Sequence, residues 1–289
     1  MKFILAIDQG TSGTKTLIVD ELGKVCAKGS VPLKTSYLNN GFVEQDAGEI
    51  FQNVLSSVRE CLAVFTNNGY STNDIVSCGI SNQRETFVLW NEEGVPLYNA
   101  VVWQCKRSIE ICERLKSQGL QQTIKEKTGL IIDPYFSATK LLWLYENDDT
   151  VKRAITQGNA YFGTVDTWLL YQLTKGKNYS TDYTNASRTL FFNLSSLSWD
   201  KALLNEFGLS KLNLPGCHPS SYPFGESDFD GLLKNAIPVS AMIGDSHAAA
   251  FGEGCYQKGT AKATLGTGCS ILMNIGNDLK YSNNGMVTT

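Results

Sequence analysis

The chain opens on two apolar, β-prone runs, Phe3-Ile4-Leu5-Ala6-Ile7 and Thr16-Leu17-Ile18-Val19-Asp20. Between them lies the small, polar stretch Asp8-Gln9-Gly10-Thr11-Ser12-Gly13-Thr14-Lys15. Strand-like runs around a turn of Gly, Thr and Ser predict a β-hairpin. A second turn signal, Glu21-Leu22-Gly23-Lys24, leads into a third strand from Val25 to Val31, making a meander. Asp46 with Glu49 has the spacing of a capping box. It opens a helix whose apolar residues Ile50, Phe51, Val54, Leu55, Val58, Leu62 and Phe65 recur at helical spacing, and Asn67-Asn68-Gly69 ends it. Ile75 to Ser81 then reads as a buried strand. Three strands, a helix and a strand form a mixed α/β pattern built on one sheet. Further on, the pattern predicts helices over 108–118, 137–146 and 166–173, with Pro134, Pro215, Pro219, Pro223 and Pro238 punctuating loops.

The hairpin logic returns near the other end. Lys262-Ala263-Thr264-Leu265, Gly266-Thr267-Gly268-Cys269 and Ser270-Ile271-Leu272-Met273-Asn274 again read strand, Gly/Thr turn, strand, followed by a Gly276-Asn277-Asp278 turn. Two such turns on separate domains can grip one anionic ligand from both sides. Chance similarity of two hairpins remains open at this point.

Composition narrows the picture. A chain of 289 residues can bury a sizeable core, and the length prior suggests about two domains. A net charge of −3 makes no electrostatic case for nucleic acid or an anionic membrane surface. The apolar runs are too short to span a bilayer, and an Asp inside the first strand argues against a secretory signal. The 8 Cys include no C-x-x-C pair and mostly sit within apolar runs, as buried reduced thiols do. With only His218 and His247 available, zinc is disfavoured. These features predict a cytoplasmic protein with no nucleic-acid or membrane partner, and they leave a homo-oligomer open.

The first turn carries the candidate chemistry. Its backbone N–H groups and hydroxyls can converge on an anion, and glycine permits close approach. Asp8 adds a carboxylate suited to Mg²⁺, directly or through water. A P-loop is excluded, because Lys15 stands where its second glycine belongs. A Rossmann fingerprint is excluded because the turn leads into a strand rather than a helix. A plain hairpin turn remains the bland alternative.

Longer words decide between these. They are Asp8-Gln9-Gly10-Thr11, Ser81-Asn82-Gln83-Arg84-Glu85-Thr86, Val102-Trp103-Gln104-Cys105, Asp133-Pro134-Tyr135-Phe136-Ser137, Phe162-Gly163-Thr164-Val165-Asp166-Thr167-Trp168, Thr181-Asp182-Tyr183-Thr184-Asn185-Ala186-Ser187-Arg188-Thr189 and Gly266-Thr267-Gly268-Cys269. In this order they resemble the glycerol kinase branch of the FGGY carbohydrate kinases, within the actin-like ATPase superfamily. The resemblance implies an α/β, ribonuclease H-like/actin-like ATPase domain with a mixed β-sheet flanked by helices. It implies a substrate-binding domain over 1–250 and, over 251–289, the start of a nucleotide-binding domain, whose strands would have unpaired edges and exposed apolar faces.

The implied reaction is ATP-dependent, Mg²⁺-assisted phosphorylation of a small polyol, glycerol foremost. Arg84, Glu85, Trp103, Tyr135, Asp245 and Ser246 would meet the polyol, with Asp245 as general base. Thr11, Ser12, Gly13 and Lys15 would meet ATP from one side, Gly266 and Thr267 from the other, and Asp8 would hold the metal. Such roles suit the residue types: an arginine fork and a carboxylate can clamp adjacent hydroxyls, while aromatic faces pack on carbon. Asp245 can equally cap a helix starting near Ala248.

Departures from the family pattern bear on substrate. Ser246-His247 follows the catalytic Asp where the family usually has Gln, Ser270 stands where Phe is common, and Lys15 replaces an arginine. The first two changes would enlarge and polarise the pocket, which leaves erythritol, dihydroxyacetone or xylulose open as substrates, while Lys15 keeps the positive charge but loses the bidentate fork. A non-catalytic polyol-binding fragment is the reading from outside enzymology.

Overall fold

The computed structural model describes residues 1–265 and 269–289. In chain order, β1 (Phe3–Gly10), β2 (Gly13–Asp20) and β3 (Val25–Pro32) are followed by the short β4 (Ser36–Tyr37) and β5 (Val43–Gln45). Helix α1 (Ala47–Asn67) leads to β6 (Ile75–Asn82), β7 (Phe87–Trp90) and β8 (Ala100–Val101). Four helices come next: α2 (Ile109–Ser117), α3 (Gln121–Thr128), α4 (Ser137–Asn147) and α5 (Asp149–Gln157). Then follow β9 (Tyr161–Thr164), α6 (Val165–Leu173), β10 (Ser180–Asp182), α7 (Tyr183–Ala186), β11 (Phe192–Asn193), β12 (Ser198–Trp199) and α8 (Lys201–Glu206). The chain continues through β13 (Gly216–His218), β14 (Ser221–Ser227), β15 (Ile237–Gly244), α9 (Asp245–Gly252), β16 (Ala261–Leu265) and β17 (Cys269–Met273).

The main sheet has the order β14-β15-β6-β1-β2-β3. The β1–β2–β3 meander is antiparallel, whereas β6 runs parallel to β1 and β15 parallel to β6. Alternation in β1 buries Phe3, Leu5, Ile7 and Gln9, against which α1 packs Ile50, Val54, Val58, Cys61 and Phe65. From α6, Trp168, Leu169 and Leu170 complete this core. The other phase of the strands is less covered, with Ile4 and Val76 exposed. A second sheet, β4-β5-β8-β7-β9, carries a second core shared with α2, α4 and α5.

The first hairpin is tighter than its composition predicts. Pairing continues through Gly10↔Gly13, so the turn is Thr11-Ser12 alone and Asp8 lies within the ladder opposite Lys15. The reason is that β1 is hydrogen-bonded on both sides as far as Gln9, which prolongs the strand to its tip. Gly13 is required by the neighbouring strand: a Cβ there would lie 2.6 Å from the Val31 carbonyl oxygen.

Helix α1 begins as predicted, with the Asp46 carboxylate accepting from Glu49 N at 2.9 Å. The reciprocal arm of the capping box is absent, because the Glu49 side chain accepts from Lys34 N instead. The cysteines are less uniformly buried than their apolar surroundings suggest. Cys61, Cys78, Cys105 and Cys112 are buried, Cys26, Cys217 and Cys255 half-buried, and Cys269 exposed. β16 and β17 pair only with each other among the described residues, and Leu265, Ile271 and Met273 are exposed. No helix among the described residues is long and apolar enough to cross a membrane.

Candidate active site

Three parallel strands, β1, β6 and β15, end side by side, and their carboxyl ends deliver Asp8, Arg84 and Asp245 to one region. Ligand sites in α/β sheets gather at such ends, where loops leave the last backbone groups accessible. Immediately after β6 the chain turns sharply: Glu85 takes φ +60°, and Thr86 N donates to Arg84 O at 2.7 Å. Left-handed backbone is costly for a non-glycine residue, about 1 kcal/mol or more, so a tertiary constraint must hold it. The constraint is the pair of ion pairs made by the two consecutive side chains.

Arg84 Nε donates to Asp245 Oδ1 at 2.9 Å and its Nη2 to Ser246 Oγ at 2.8 Å. Burial opposes the Arg84 charge, but Glu85 and Asp245 outweigh it and hold the guanidinium above its ordinary range. Glu85 goes elsewhere, accepting from Arg188 Nε at 2.6 Å in a pair whose side chains are 6% and 2% exposed. Arg188 also lies over the rings of Tyr135 and Phe136, at 5.8 and 5.0 Å. Tyr135 meets Trp103 edge to face at 5.7 Å. Its phenol is raised by burial, then by Glu85, with Arg84, Arg188 and Asp245 also in electrostatic range. Arg84, Glu85, Trp103, Tyr135, Asp245 and Ser246 therefore form one cluster.

Asp245 is the first residue of α9, with Gly244 as its N-cap, so the capping role that its sequence context allowed is not its own. Its Oδ1 accepts from both Arg84 Nε and Ser246 N. Among the described residues Oδ2 has no protein partner, and the side chain is 45% exposed. One oxygen is anchored and the other is open.

The turn residues divide. Trp103 Nε1 donates to the Thr11 hydroxyl at 2.9 Å, and Thr11 in turn donates to Gln83 Oε1 at 3.3 Å. Gln83 also donates to Gln45 Oε1, and Thr86 bonds both Gln83 and Trp103 N. The Thr11 hydroxyl thus ties the turn to the aromatic wall. Ser12 is exposed, and its carbonyl accepts from Leu33 N. Lys15 is exposed across the ladder from Asp8. Asp8 accepts from Ser81 Oγ at 3.0 Å. Local burial raises the Asp8 carboxyl, although the residue as a whole is exposed, and Ser81 pulls it back. Asp245 adds to the rise, and Lys15 opposes it. Gly266 and Thr267 lie outside the described residues.

Arg188 carries no role assigned from sequence, although it stands next to last in one of the longer words quoted. A partner only a few residues from a Glu-bearing turn in space, but 103 away in sequence, leaves no local signal. His247 sits two residues beyond Asp245. Burial, then Arg84, Arg188 and Lys262, push its imidazole down to about 3, so it is neutral, and its buried Nδ1 has no hydrogen-bond partner among the described residues.

A mixed sheet of this order, with acidic groups gathered where its parallel strands end, is that of the actin-like ATPase fold. The description "FGGY family of carbohydrate kinases, N-terminal domain" matches residues 3–252, and the chain belongs to that family. Glycerol kinase 1 of Clostridium tetani is 44% identical over 289 residues, covering 100% of this chain and 57% of the relative. The glycerol kinase of Treponema denticola is also 44% identical, with 58% of it covered. The crystal structure of Plasmodium falciparum glycerol kinase with ADP superposes with a TM-score of 0.93 at 35% identity, covering 99% of this chain and 57% of that one. A ligand-bound xylulose kinase from Lactobacillus acidophilus shares the fold, at TM-score 0.82 and 23% identity. The chain spans a little over half the length of these relatives.

Proposed function

We propose that this chain supplies the polyol-binding part of an ATP-dependent polyol kinase whose first substrate is glycerol. In this reading residues 1–250 form the substrate-binding domain, and 251–289 begin the nucleotide-binding one. The observation that carries the proposal is Asp245, with one oxygen pinned by Arg84 and the Ser246 amide and the other left open.

A polyol lies with its hydroxyls toward Arg84 and Glu85 and its carbon face against Trp103 and Tyr135. Its terminal hydroxyl oxygen attacks the γ-phosphorus of ATP. The new O–P bond forms as the bond from the γ-phosphorus to the bridging oxygen breaks, Asp245 Oδ2 takes the hydroxyl proton, and ADP leaves. The Arg84 ion pair and the Ser246 amide hold the carboxylate in one orientation. Thr11, Ser12, Gly13 and Lys15 meet the nucleotide's phosphates from this side, and Gly266 and Thr267 from the other.

The donor set at Asp8 fits Mg²⁺, which takes one or two carboxylates and otherwise phosphate or water oxygens. The Asp8 carboxyl, raised by its surroundings, is the anion that a cation would relieve. Bound there, Mg²⁺ would neutralise charge on the transferring phosphoryl group. A cytoplasmic location suits a kinase that draws on ATP.

The test is Asp245→Asn in the full-length protein. Turnover should fall by about 10²–10⁴-fold, while glycerol affinity by calorimetry changes by no more than about threefold. Equal loss of both would contradict the base role. An ADP-release assay over glycerol, erythritol, dihydroxyacetone and xylulose identifies the substrate, and turnover of another compound without glycerol would overturn the first choice.

A further inference from the structure

Lys140 is fully buried in the first turn of α4, with no carboxylate bonded to it among the described residues. Its Nζ instead donates to three consecutive main-chain oxygens, Pro134 O at 2.9 Å, Tyr135 O at 2.6 Å and Phe136 O at 3.1 Å. Three ammonium protons meet three acceptors, so the buried donor inventory closes. A cation at a helix N-terminus runs against the helix dipole, and a buried charge needs compensation. Neither helix formation nor core packing calls for an ammonium here, whereas the loop before the helix does. Its carbonyls are outside any ladder and lie in the interior, where an unpaired oxygen is costly.

We infer that Lys140 is a positioning residue for the polyol wall: its ammonium gathers the Pro134–Phe136 backbone and so sets Tyr135 against Trp103 and Arg188. The loop has other ties, and none of them reaches the carbonyl of Tyr135 among the described residues. Tyr135 N donates to Asp133 Oδ1 at 2.8 Å, and Ser137 Oγ donates to Glu85 O at 2.9 Å, joining the start of α4 to the Glu85 turn. Lys140 is the cation of this set, and among the described residues it alone holds the carbonyl of Tyr135 itself. The inference rests on reading Tyr135 as a contact of the polyol, but its structural half does not.

The groups that face the ammonium are Glu85 on the turn after β6, Cys105 after β8, Cys112 on α2 and Asp133 before α4. They oppose the effect of burial, which brings Lys140 down to about 8. Above that pH the amine keeps two protons for three oxygens, and the loop loses one of its ties.

Hydrogen exchange of the peptide covering 133–137 tests the structural half without ligand. Lys140→Met should accelerate it about tenfold or more, one charge-assisted hydrogen bond's worth, with α1 and the main sheet unchanged. Unchanged exchange overturns the inference. In the unmutated chain the same peptide should speed up between pH 7 and 9.5 beyond the intrinsic base-catalysed rise. That arm stands even where Lys140→Met fails to fold, and a rise no steeper than intrinsic overturns the inference. Glycerol calorimetry on Lys140→Met, Tyr135→Ala and the double variant tests the functional half. If Lys140 acts through Tyr135, the double variant loses no more than the worse single one, whereas multiplying losses overturn it. Absence of glycerol binding by the unmutated protein would instead count against the polyol reading, leaving the exchange result to judge Lys140.

Discussion

Gly244→Ala isolates the packing that aims Arg84. Gly244 has φ −64° and ψ 141°, a conformation that alanine adopts without strain, so any effect arises from the added methyl. That Cβ would stand 2.6 Å from Arg84 Cδ and 2.7 Å from Cγ. Reaching an ordinary contact of 3.4 Å from 2.6 Å requires a retreat of 0.8 Å. Arg84 is only 9% exposed and is fixed by bonds of 2.9 and 2.8 Å to Asp245 and Ser246, so the retreat breaks one or both. Overpacking of this kind costs about 1–3 kcal/mol of stability. A displacement approaching an ångström in the group that orients the proposed base is worth about a hundredfold in turnover. Urea denaturation of the chain gives the first quantity, and turnover of the full-length protein gives the second. Adding Arg84→Ala removes the atoms that clash, so the double variant should be no less stable than Arg84→Ala alone. Gly244→Ala with unaltered stability and turnover would refute the claim that Gly244 sets the path of Arg84.

Two further outcomes follow from the buried charges. Arg188→Met leaves the Glu85 carboxylate buried without its partner and should cost about 3–5 kcal/mol in urea denaturation. Glu85→Leu together with Arg188→Met should recover most of that, and a single variant within about 1 kcal/mol of the unmutated chain would show the pair to be dispensable. Asp166, buried and beside Asp182, is raised to about 7 by burial and then by its neighbour's charge. Between the unfolded value of 3.8 and about 7 the folded state holds a proton that the unfolded state has lost. Its contribution is therefore complete below the lower value and is lost as pH rises through the upper one. Stability should fall more between pH 5.5 and 8.5 in the unmutated chain than in Asp166→Asn, and equal pH slopes would reject the assignment.

The hairpin, α1 and β6 were legible because their patterns are long and local: alternation in β1, helical spacing from Ile50 to Phe65, and Asp46 four residues ahead of that stripe. The second sheet was not, since β4, β5, β7 and β8 run for two to four residues, too short for alternation to register. In Phe87–Trp90 all residues are buried, so no polar phase marks a strand. At the site, Arg84, Glu85, Trp103 and Tyr135 were found in the family words and Asp245 and Ser246 through the wider resemblance, and the structure brings the six together. Their bonding was not legible. Arg84 and Glu85, adjacent in sequence, face different partners because of the left-handed turn between them. Nothing in a Gly/Thr-rich turn announces that the Thr11 hydroxyl belongs to Trp103, or that Gly13 is demanded by Val31.

These contacts also sort the two carboxylates that Arg84 and Lys15 flank. Asp245 and Asp8 lie close enough for the charge on one to raise the other. Asp245 is answered by a buried guanidinium 2.9 Å away and by a main-chain N–H on the same oxygen. Asp8 has a neutral hydroxyl from Ser81 and, across the ladder, an exposed lysine whose field water screens. The negative charge left uncompensated is therefore on Asp8, while Asp245 keeps a fixed orientation and one open oxygen. A carboxylate held by an arginine has less free charge to offer a metal but a fixed direction for its open oxygen, whereas one with surplus charge suits a cation. The proposed division, metal to Asp8 and proton to Asp245, accords with which of the two Arg84 reaches. Arg84 reaches Asp245 because Gly244 has no side chain in its way.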